Sequence, residues 1–270
     1  MLSFYRYSGA GNSFVVIDGR SVDTSRFKKT AMVHALCMQY GTDGLMILEN
    51  SDKADFLMTY FNSDGSGGMM CGNGGRCIVA FADLLGVKPF HSRDYTFEAP
   101  DGIHHAEILS HLGECKIVRL EMKDVCSVEK HPGGWFLDTG TRHFVTFVPD
   151  ADAVDVETEG RRIRNSVEFG PAGTNADFVS PDPDGTLRVR TYEKGVEAET
   201  LSCGTGVTAG AIAAFMQGIS PVSGEKGLLR YDIRAGEDLL TVEFLAGSPE
   251  GPFTAIRLTG PTLCEGSLEE

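Results

Sequence analysis

The sequence places a cysteine in front of Gly-X-Gly twice. One copy is in "MMCGNGGRCIVAF", from residue 69, and the other in "LSCGTGVTAGAIAAF", from residue 201, about half a chain length later. Each runs directly into an apolar stretch that reads as a helix. A helix start leaves backbone N–H groups unpaired and carries about half a positive charge. Glycine after the cysteine leaves those groups uncovered, so an anion can approach closely. A cysteine in such a place gains thiolate character, with a pKa commonly lowered to roughly 3.5–7.5. Each motif is therefore a thiol, Cys71 or Cys203, beside an anion cradle, Gly72–Asn73 or Gly204–Thr205.

Two such devices facing one cavity suit one reaction well. An amino acid whose α-carboxylate lay between two helix starts would have a thiol on each face of its α-carbon. One thiolate removes the α-proton and the other thiol delivers a proton to the opposite face. The stereocentre inverts without a pyridoxal cofactor. The bare N–H groups stabilise the enolate-like charge that builds on the carboxylate, and one such donor is typically worth about 2.7–4 kcal/mol. Expulsion of water strengthens these interactions. A phosphate loop fits less well. There is no GxxxxGK[ST], "GAGNSF" at 9–14 is an incomplete glycine fingerprint, and a phosphate loop has no use for a central cysteine.

The elements that must position these residues are mostly short strands. Apolar or alternating runs bounded by Gly, Asp or Asn appear at "SFVVID", "GLMILEN", "DFLMTYF", "YTFEA", "ECKIVRLEM", "RHFVTFV", "ADFVS", "TLRVRTYE", "LLTVEFL" and "FTAIRLTG". In the strand at 186–192, Leu187, Val189 and Thr191 point one way while Arg188, Arg190 and Tyr192 point the other. An amphipathic helix is expected over 25–39, with Phe27, Ala31, Ala35 and Met38 on one face and Gly41 just past its end. "RCIVAFADLL" and "VTAGAIAAFMQ" are apolar or small nearly all round, as fully buried helices are. The pattern predicts an α+β (α/β) fold of two similar domains, each a mostly antiparallel sheet wrapped around a central buried helix. The boundary is expected near "SHLGECK". The first half then covers residues 1–114 joined by a last strand at 262–270, and the second covers 115–261.

Composition narrows the function classes. Hydrophobic residues make up 41% of the 270 and the formal net charge is −14, with a sequence pI near 4.9. No basic stripe is present to track a nucleic-acid backbone. No apolar run is long enough for a bilayer and the first residues carry no signal-peptide pattern, so a cytoplasmic protein without a membrane role is expected. The seven cysteines are odd in number and scattered. Cys37, Cys77, Cys115, Cys126 and Cys264 read as reduced, buried small hydrophobes rather than a disulfide framework. CxxC and HExxH are both absent, so no metal site is expected.

"SGAGNSFVVID" (8–18), "FNSDGSGGMMCGNGGRC" (61–77), "GTNADF" (173–178), "YEKGVEAETLSCGTGVTA" (192–209) and "LTGPTLCEG" near the end together resemble the diaminopimelate epimerases, in order and across nearly the whole chain. The resemblance implies a cofactor-independent isomerase that interconverts LL- and meso-diaminopimelate, on the route to lysine and peptidoglycan precursors. It implies two similar domains with the active site in a cleft between them, a small-molecule substrate and a homodimer. Cys71 and Cys203 match the family's acid–base pair, and Gly72–Asn73 and Gly204–Thr205 its carboxylate-binding helix starts. Asn12, Asn62 and Asn175 match positions that hydrogen-bond the substrate. Glu193 matches a carboxylate that contacts substrate and supports proton transfer, and His143, in "DTGTRH", a histidine that aids catalysis.

Asparagine suits a substrate bearing two ammonium and two carboxylate groups, since it donates and accepts at once. Three features depart from the family's common pattern. Lys194 stands where arginine is common, Thr141 where asparagine is, and the segment from Glu193 to Cys203 is one residue longer than in many relatives. Arginine grips a carboxylate bidentately and lysine does not, so the departures bear on recognition of the distal end and leave the reacting centre intact. Proline or hydroxyproline racemases share the paired cysteines loosely, but their first motif usually has His where this chain has Asn73. A non-catalytic amino-acid- or anion-binding module is the alternative from another class.

Overall fold

The computed structural model describes residues 3–68, 70–90, 94–223, 227–248 and 251–268; Met69 of the first motif and the last two residues of the expected final strand lie outside these. Two compact units are present, Met1–Leu120 with Gly260–Glu270, and Glu121–Thr259.

The first unit runs β1 (Phe4–Gly9), β2 (Asn12–Asp18), α1 (Thr30–Tyr40), β3 (Gly44–Glu49), β4 (Phe56–Asn62), α2 (Gly72–Leu84), β5 (Asp94–Ala99), β6 (Gly102–Leu112) and β7 (Cys115–Glu121). The second runs β8 (Val128–His131), β9 (Gly134–Asp138), β10 (Arg142–Phe147), α3 (Val156–Arg164), β11 (Asn175–Pro181), β12 (Leu187–Glu193), β13 (Ala198–Thr200), α4 (Gly204–Met216), β14 (Val222–Ser223), β15 (Leu229–Ala235) and β16 (Asp238–Ala246). The long β17 (Phe253–Leu268) begins in the second unit and continues into the first.

The main pairing repeats, with β13 and β14 added in the second unit. In the first unit β1 is antiparallel to β2, and β2 is parallel to β3 across the α1 connection, with Phe14 opposite Gly44. In the second, β9 is antiparallel to β10, and β10 is parallel to β11 across α3, with His143 opposite Asn175. An antiparallel partner follows in each, β4 on β3 and β12 on β11. A second parallel step then spans the buried helix, from β4 to β5 over α2 and from β12 to β15 over α4. Antiparallel hairpins close both series, β5–β6–β7 and β15–β16–β17. Each of these parallel pairs is joined by a connection long enough to hold a helix, as geometry requires.

The central helices are buried almost all round, α2 from Gly72 to Ala82 and α4 at Gly204 and from Gly206 to Ala214. The first helix differs from expectation. A 3-10 turn at Ser25–Lys28 buries Phe27, and the extended Lys29 separates it from α1. That break resets the helical phase. Val33, Leu36 and Cys37 now face the core of Phe4, Val15, Ile17, Leu45 and Ile47, while Ala31 and Ala35 are exposed and Met38 is 69% exposed. Gly41 ends the helix as expected, left-handed at φ 60, with its N–H on the Cys37 carbonyl. The cysteines also differ from expectation. All seven are free thiols, but only Cys37, Cys77 and Cys203 are buried, and Cys126 is exposed on a loop. Strand alternation turns the Cys115 and Cys264 side chains partly outward.

The third residue of each central helix lies against the sheet but meets different chemistry. A Cβ on Gly74 would lie 3.3 Å or more from Met46, Met58 and Phe14, whereas on Gly206 it would lie 2.5 Å from Asp177 Oδ1 and 2.9 Å from Thr191 Oγ1. Those two oxygens hydrogen-bond each other and cannot both give way. Gly206→Ala should therefore destabilise the fold by about 1–3 kcal/mol, while Gly74→Ala should stay within about 1 kcal/mol of the parent because alanine favours the helix. Urea unfolding checks the first through the fluorescence of Trp135, the one tryptophan, and the second by circular dichroism.

His131 packs on Phe136, Phe144 and Phe169 and bonds Glu168, with Glu129 3.5 Å from its other nitrogen. The Glu168 hydrogen bond, then Glu129, holds its pKa above the ordinary imidazole value. The stabilisation is complete below the unfolded-state pKa of about 6.5 and is lost as pH rises through the raised folded-state value. The parent should lose about 0.2–1 kcal/mol across that rise, and His131→Gln should flatten the change; urea midpoints measured through neutral pH would show it.

Candidate active site

Cys71 is the N-cap residue of α2, in extended backbone, and its sulfur accepts the Gly74 N–H at 3.5 Å. Asn73, 1% exposed, ties the helix start to the loop between β1 and β2. Its amide nitrogen donates to Ala10 O at 3.2 Å and to Asn12 Oδ1 at 2.8 Å, and its oxygen accepts from Arg76 at 2.8 Å. Arg76 is fully buried and its other guanidinium nitrogen reaches Gly72 O. The structure thus brings Asn12, Gly72, Asn73 and Cys71 together. Asn62 is exposed at the end of β4, where its amide donates to Ser66 Oγ at 3.0 Å.

Cys203 is the N-cap residue of α4 and is 9% exposed. Its sulfur lies 3.3 Å from Thr205 Oγ1. That hydroxyl is 3.0 Å from His143 Nε2 and 3.1 Å from Thr141 Oγ1. His143 is fully buried, and its Nδ1 lies 2.7 Å from Asp177 Oδ2. Both ring nitrogens face protein groups, so any influence of His143 on the sulfur runs through Thr205. Asn175, 4% exposed, donates to Arg142 O at 3.0 Å and Thr141 Oγ1 at 3.2 Å, and accepts the Lys194 backbone N–H at 2.7 Å. The Lys194 side chain is exposed. Glu193 accepts from Thr200 Oγ1 at 3.0 Å, a bond formed because β13 folds back on β12. Thr139 fixes the helix start from outside by donating to Thr205 O at 2.9 Å.

The thiol at this second helix start is not acidic. Burial pushes the Cys203 pKa well above the ordinary value, and the nearby charges of Glu193 and Asp177 push it the same way. The Thr205 hydroxyl and the Gly206 N–H pull in the opposite direction and lose. This corrects the expectation of a lowered pKa for Cys203: desolvation outweighs the helix terminus.

Thr141, read from sequence as a distal-end position, is exposed, and its hydroxyl lies 3.0 Å from His143 Nε2 and 3.1 Å from Thr205 Oγ1. Sequence reasoning missed Asp177, Thr191 and Arg76. The signal for Asp177 was present: β11 is buried from Asn175 to Ser180, and a carboxylate within a fully buried strand must have a specific partner.

The comparisons with known proteins agree with one another. A family model described as diaminopimelate epimerase matches residues 4–124 and 135–248. The diaminopimelate epimerase of Flavobacterium psychrophilum is 41% identical over 260 residues, covering 93% of this chain and 98% of that protein. That of Chlorobaculum tepidum is 43% identical, covering 86% and 90%, and that of Aquifex aeolicus 38%, covering 100% and 98%. Among solved structures, a PhzF-family phenazine biosynthesis protein of Bacillus anthracis superposes with a TM-score of 0.70 at 12% identity, covering 100% of this chain and 98% of that one. A probable proline racemase of Agrobacterium radiobacter gives 0.68 at 16%, covering 100% and 93%; at such identities the likeness concerns the fold alone. With the model spanning both units and relatives near 40% identical along most of the chain, the protein belongs to the diaminopimelate epimerase family.

Proposed function

We propose that this chain is the isomerase its family name describes, interconverting LL- and meso-diaminopimelate in lysine and peptidoglycan precursor synthesis by proton transfer at the α-carbon. The observation that carries the reading is the repeat itself. Each unit builds, on the same strand order, a buried central helix whose N-cap residue is a cysteine. Cys71 and Cys203 form the acid–base pair, one removing the α-proton as the other supplies its replacement. The N–H groups of Gly72–Asn73 and Gly204–Thr205 receive the α-carboxylate and the charge that grows on it. No electron sink besides these donors is required by the scheme.

Asn12, Asn62, Asn175, Glu193 and Lys194 complete substrate binding in this reading. Asn12 and Asn73 support it by orienting each other. Lys194 offers a point charge on a flexible stem, so it grips a distal carboxylate with less directional control than arginine would. A cytoplasmic homodimer belongs to the same reading and rests on the resemblance alone. Asn73, Asn62 and Lys194 argue against a proline-type racemase, because a cyclic substrate has no distal amino-acid head to read.

Turnover in deuterated buffer tests the proposal. With LL-diaminopimelate, deuterium should appear at the α-carbon of the newly formed isomer well before it appears in recovered substrate, because the returning proton comes from a second thiol that exchanges with solvent. Cys71→Ala and Cys203→Ala should each lower kcat by about 10²–10⁴-fold. Exchange with proline but not with LL-diaminopimelate would overturn the substrate, and full turnover in either variant the mechanism.

A further inference from the structure

Asp177, His143, Thr205 and Cys203 form an unbroken hydrogen-bonded row beneath the start of α4, with successive separations of 2.7, 3.0 and 3.3 Å. Every group in it can be satisfied at once. Ionised Asp177 only accepts, taking the Thr191 hydroxyl on Oδ1 at 2.7 Å and the His143 Nδ1–H on Oδ2. The neutral ring then presents Nε2 as an acceptor. Asn175 directs its N–H groups to Arg142 O and Thr141 Oγ1 at shorter range than its 3.3 Å approach to Nε2, so a hydroxyl serves that nitrogen; Thr205 and Thr141 each lie 3.0 Å from it, and of the two only Thr205 also touches the Cys203 sulfur. If Thr205 donates to Nε2, its two lone pairs are filled by the Thr141 hydroxyl and the Cys203 S–H.

We propose that this row is a proton relay, in which the Thr205 hydroxyl passes the Cys203 proton to His143 while Asp177 positions the ring and offsets the charge it gains. The Cys203 S–H bond breaks as a new O–H bond forms on Thr205. The original Thr205 O–H bond breaks as the His143 Nε2–H bond forms. One proton moves, nothing is oxidised, and the products are a thiolate and an imidazolium bonded to a carboxylate. The reverse sequence reloads the thiol. Its use in turnover rests on the epimerase reading.

The surroundings give the relay its purpose. Cys203 is buried, and Asp177 on β11 and Glu193 on β12 are the acidic groups that act on it. A proton lost to solvent would leave three anions close together, whereas a proton handed to His143 leaves a cation among them. The surroundings of Cys71 differ. The side chains nearest Gly74 beneath its helix start are Met46, Met58 and Phe14, and Asn73, in the place of Thr205, is turned to Ala10, Asn12 and Arg76. Asp177, His143 and the Thr205 hydroxyl are thus positioning residues for one thiol only.

Alkylation of the full-length enzyme by iodoacetamide, resolved by peptide mass spectrometry, reads thiolate formation at Cys203 with Cys71 as an internal reference. It needs no turnover, so the relay and the epimerase reading fail separately. Asp177→Asn decides the matter by its sign. If Asp177 acted only as a nearby negative charge, removing it would speed Cys203 alkylation. In the relay, Thr191 keeps the amide oxygen as its acceptor, so the amide N–H₂ faces Nδ1 and forces the proton onto Nε2. Alkylation should then slow at least about tenfold near pH 8, with Cys71 unchanged and the tautomer switch visible in the ¹⁵N shifts of His143. His143→Gln should slow Cys203 likewise, and it decides the question if Asp177→Asn does not fold. Thr205→Val should do the same, with Thr205→Ser restoring the parent rate. Unchanged or faster alkylation of Cys203 in folded Asp177→Asn or His143→Gln would overturn the relay.

Discussion

A buried helix must still satisfy its first N–H groups, and α2 and α4 both bury theirs. Serine, threonine or aspartate would do this best at the N-cap position. This chain uses cysteine at both, and sulfur is a weak acceptor. In α2 the Gly74 N–H reaches Cys71 at 3.5 Å; in α4 the Gly206 N–H bears on the Cys203 sulfur. Such donors remain available to a stronger acceptor, and a carboxylate is one. The helix starts are thus less than optimal for stability and well suited to an anionic ligand, which is where a site is expected to depart from the best local choice.

Two effects compete at Cys203. A helix terminus contributes up to about 2 kcal/mol in partly buried geometry, equivalent to less than two pKa units at about 1.36 kcal/mol each. Burial can shift a group by about 3–5 units, and here two anions act in the same direction. Burial therefore prevails, and the sulfur rests protonated. A thiol of this kind holds its proton at rest and is a weak acid, and it becomes a base only when a proton acceptor lies close by within the protein. The identity of the residues behind the helix start therefore matters as much as the motif in front of it.

Much of the fold was legible because its strands are apolar, short and bounded by turn residues; the runs ending in β2, β3, β4, β10, β11 and β12 lie within a residue or two of their observed bounds. The central helices were legible because their sequences are apolar or small on every side. The α1 face was misjudged because nothing in "SRFKKTAM" announces that Lys29 is extended, and a single break rotates every later residue. Helix α3 was not foreseen: it buries only Val156, Gly160 and Ile163. Its signals were polar ones, the capping Asp155, glutamates in the first turn and arginines in the last, which complement the helix dipole. The residues of the candidate site could be named from their motifs, but their partners could not. Asp177 and Thr191 meet by cross-strand register and reach His143 through parallel pairing, and neither relation is local in sequence.

In the proposed mechanism the repeat also bears on why the two thiols need different surroundings. Inversion by two thiols requires one to begin as a base and the other as an acid. Two identical environments would leave the two assignments equal in energy, and half the molecules would hold the wrong one for a given isomer. The strand order of the two units is the same, so it cannot remove that degeneracy; only side chains can. Phe14, Met46 and Met58 stand behind one helix start, and His143, Asp177 and Thr191 behind the other. The polar shell costs little where every member is hydrogen-bonded, and in the proposed relay it lets one sulfur be charged and discharged internally. In that mechanism a shared fold supplies the geometry twice, and the asymmetry needed for a directional proton transfer is carried by a few buried residues that the topology leaves free to vary.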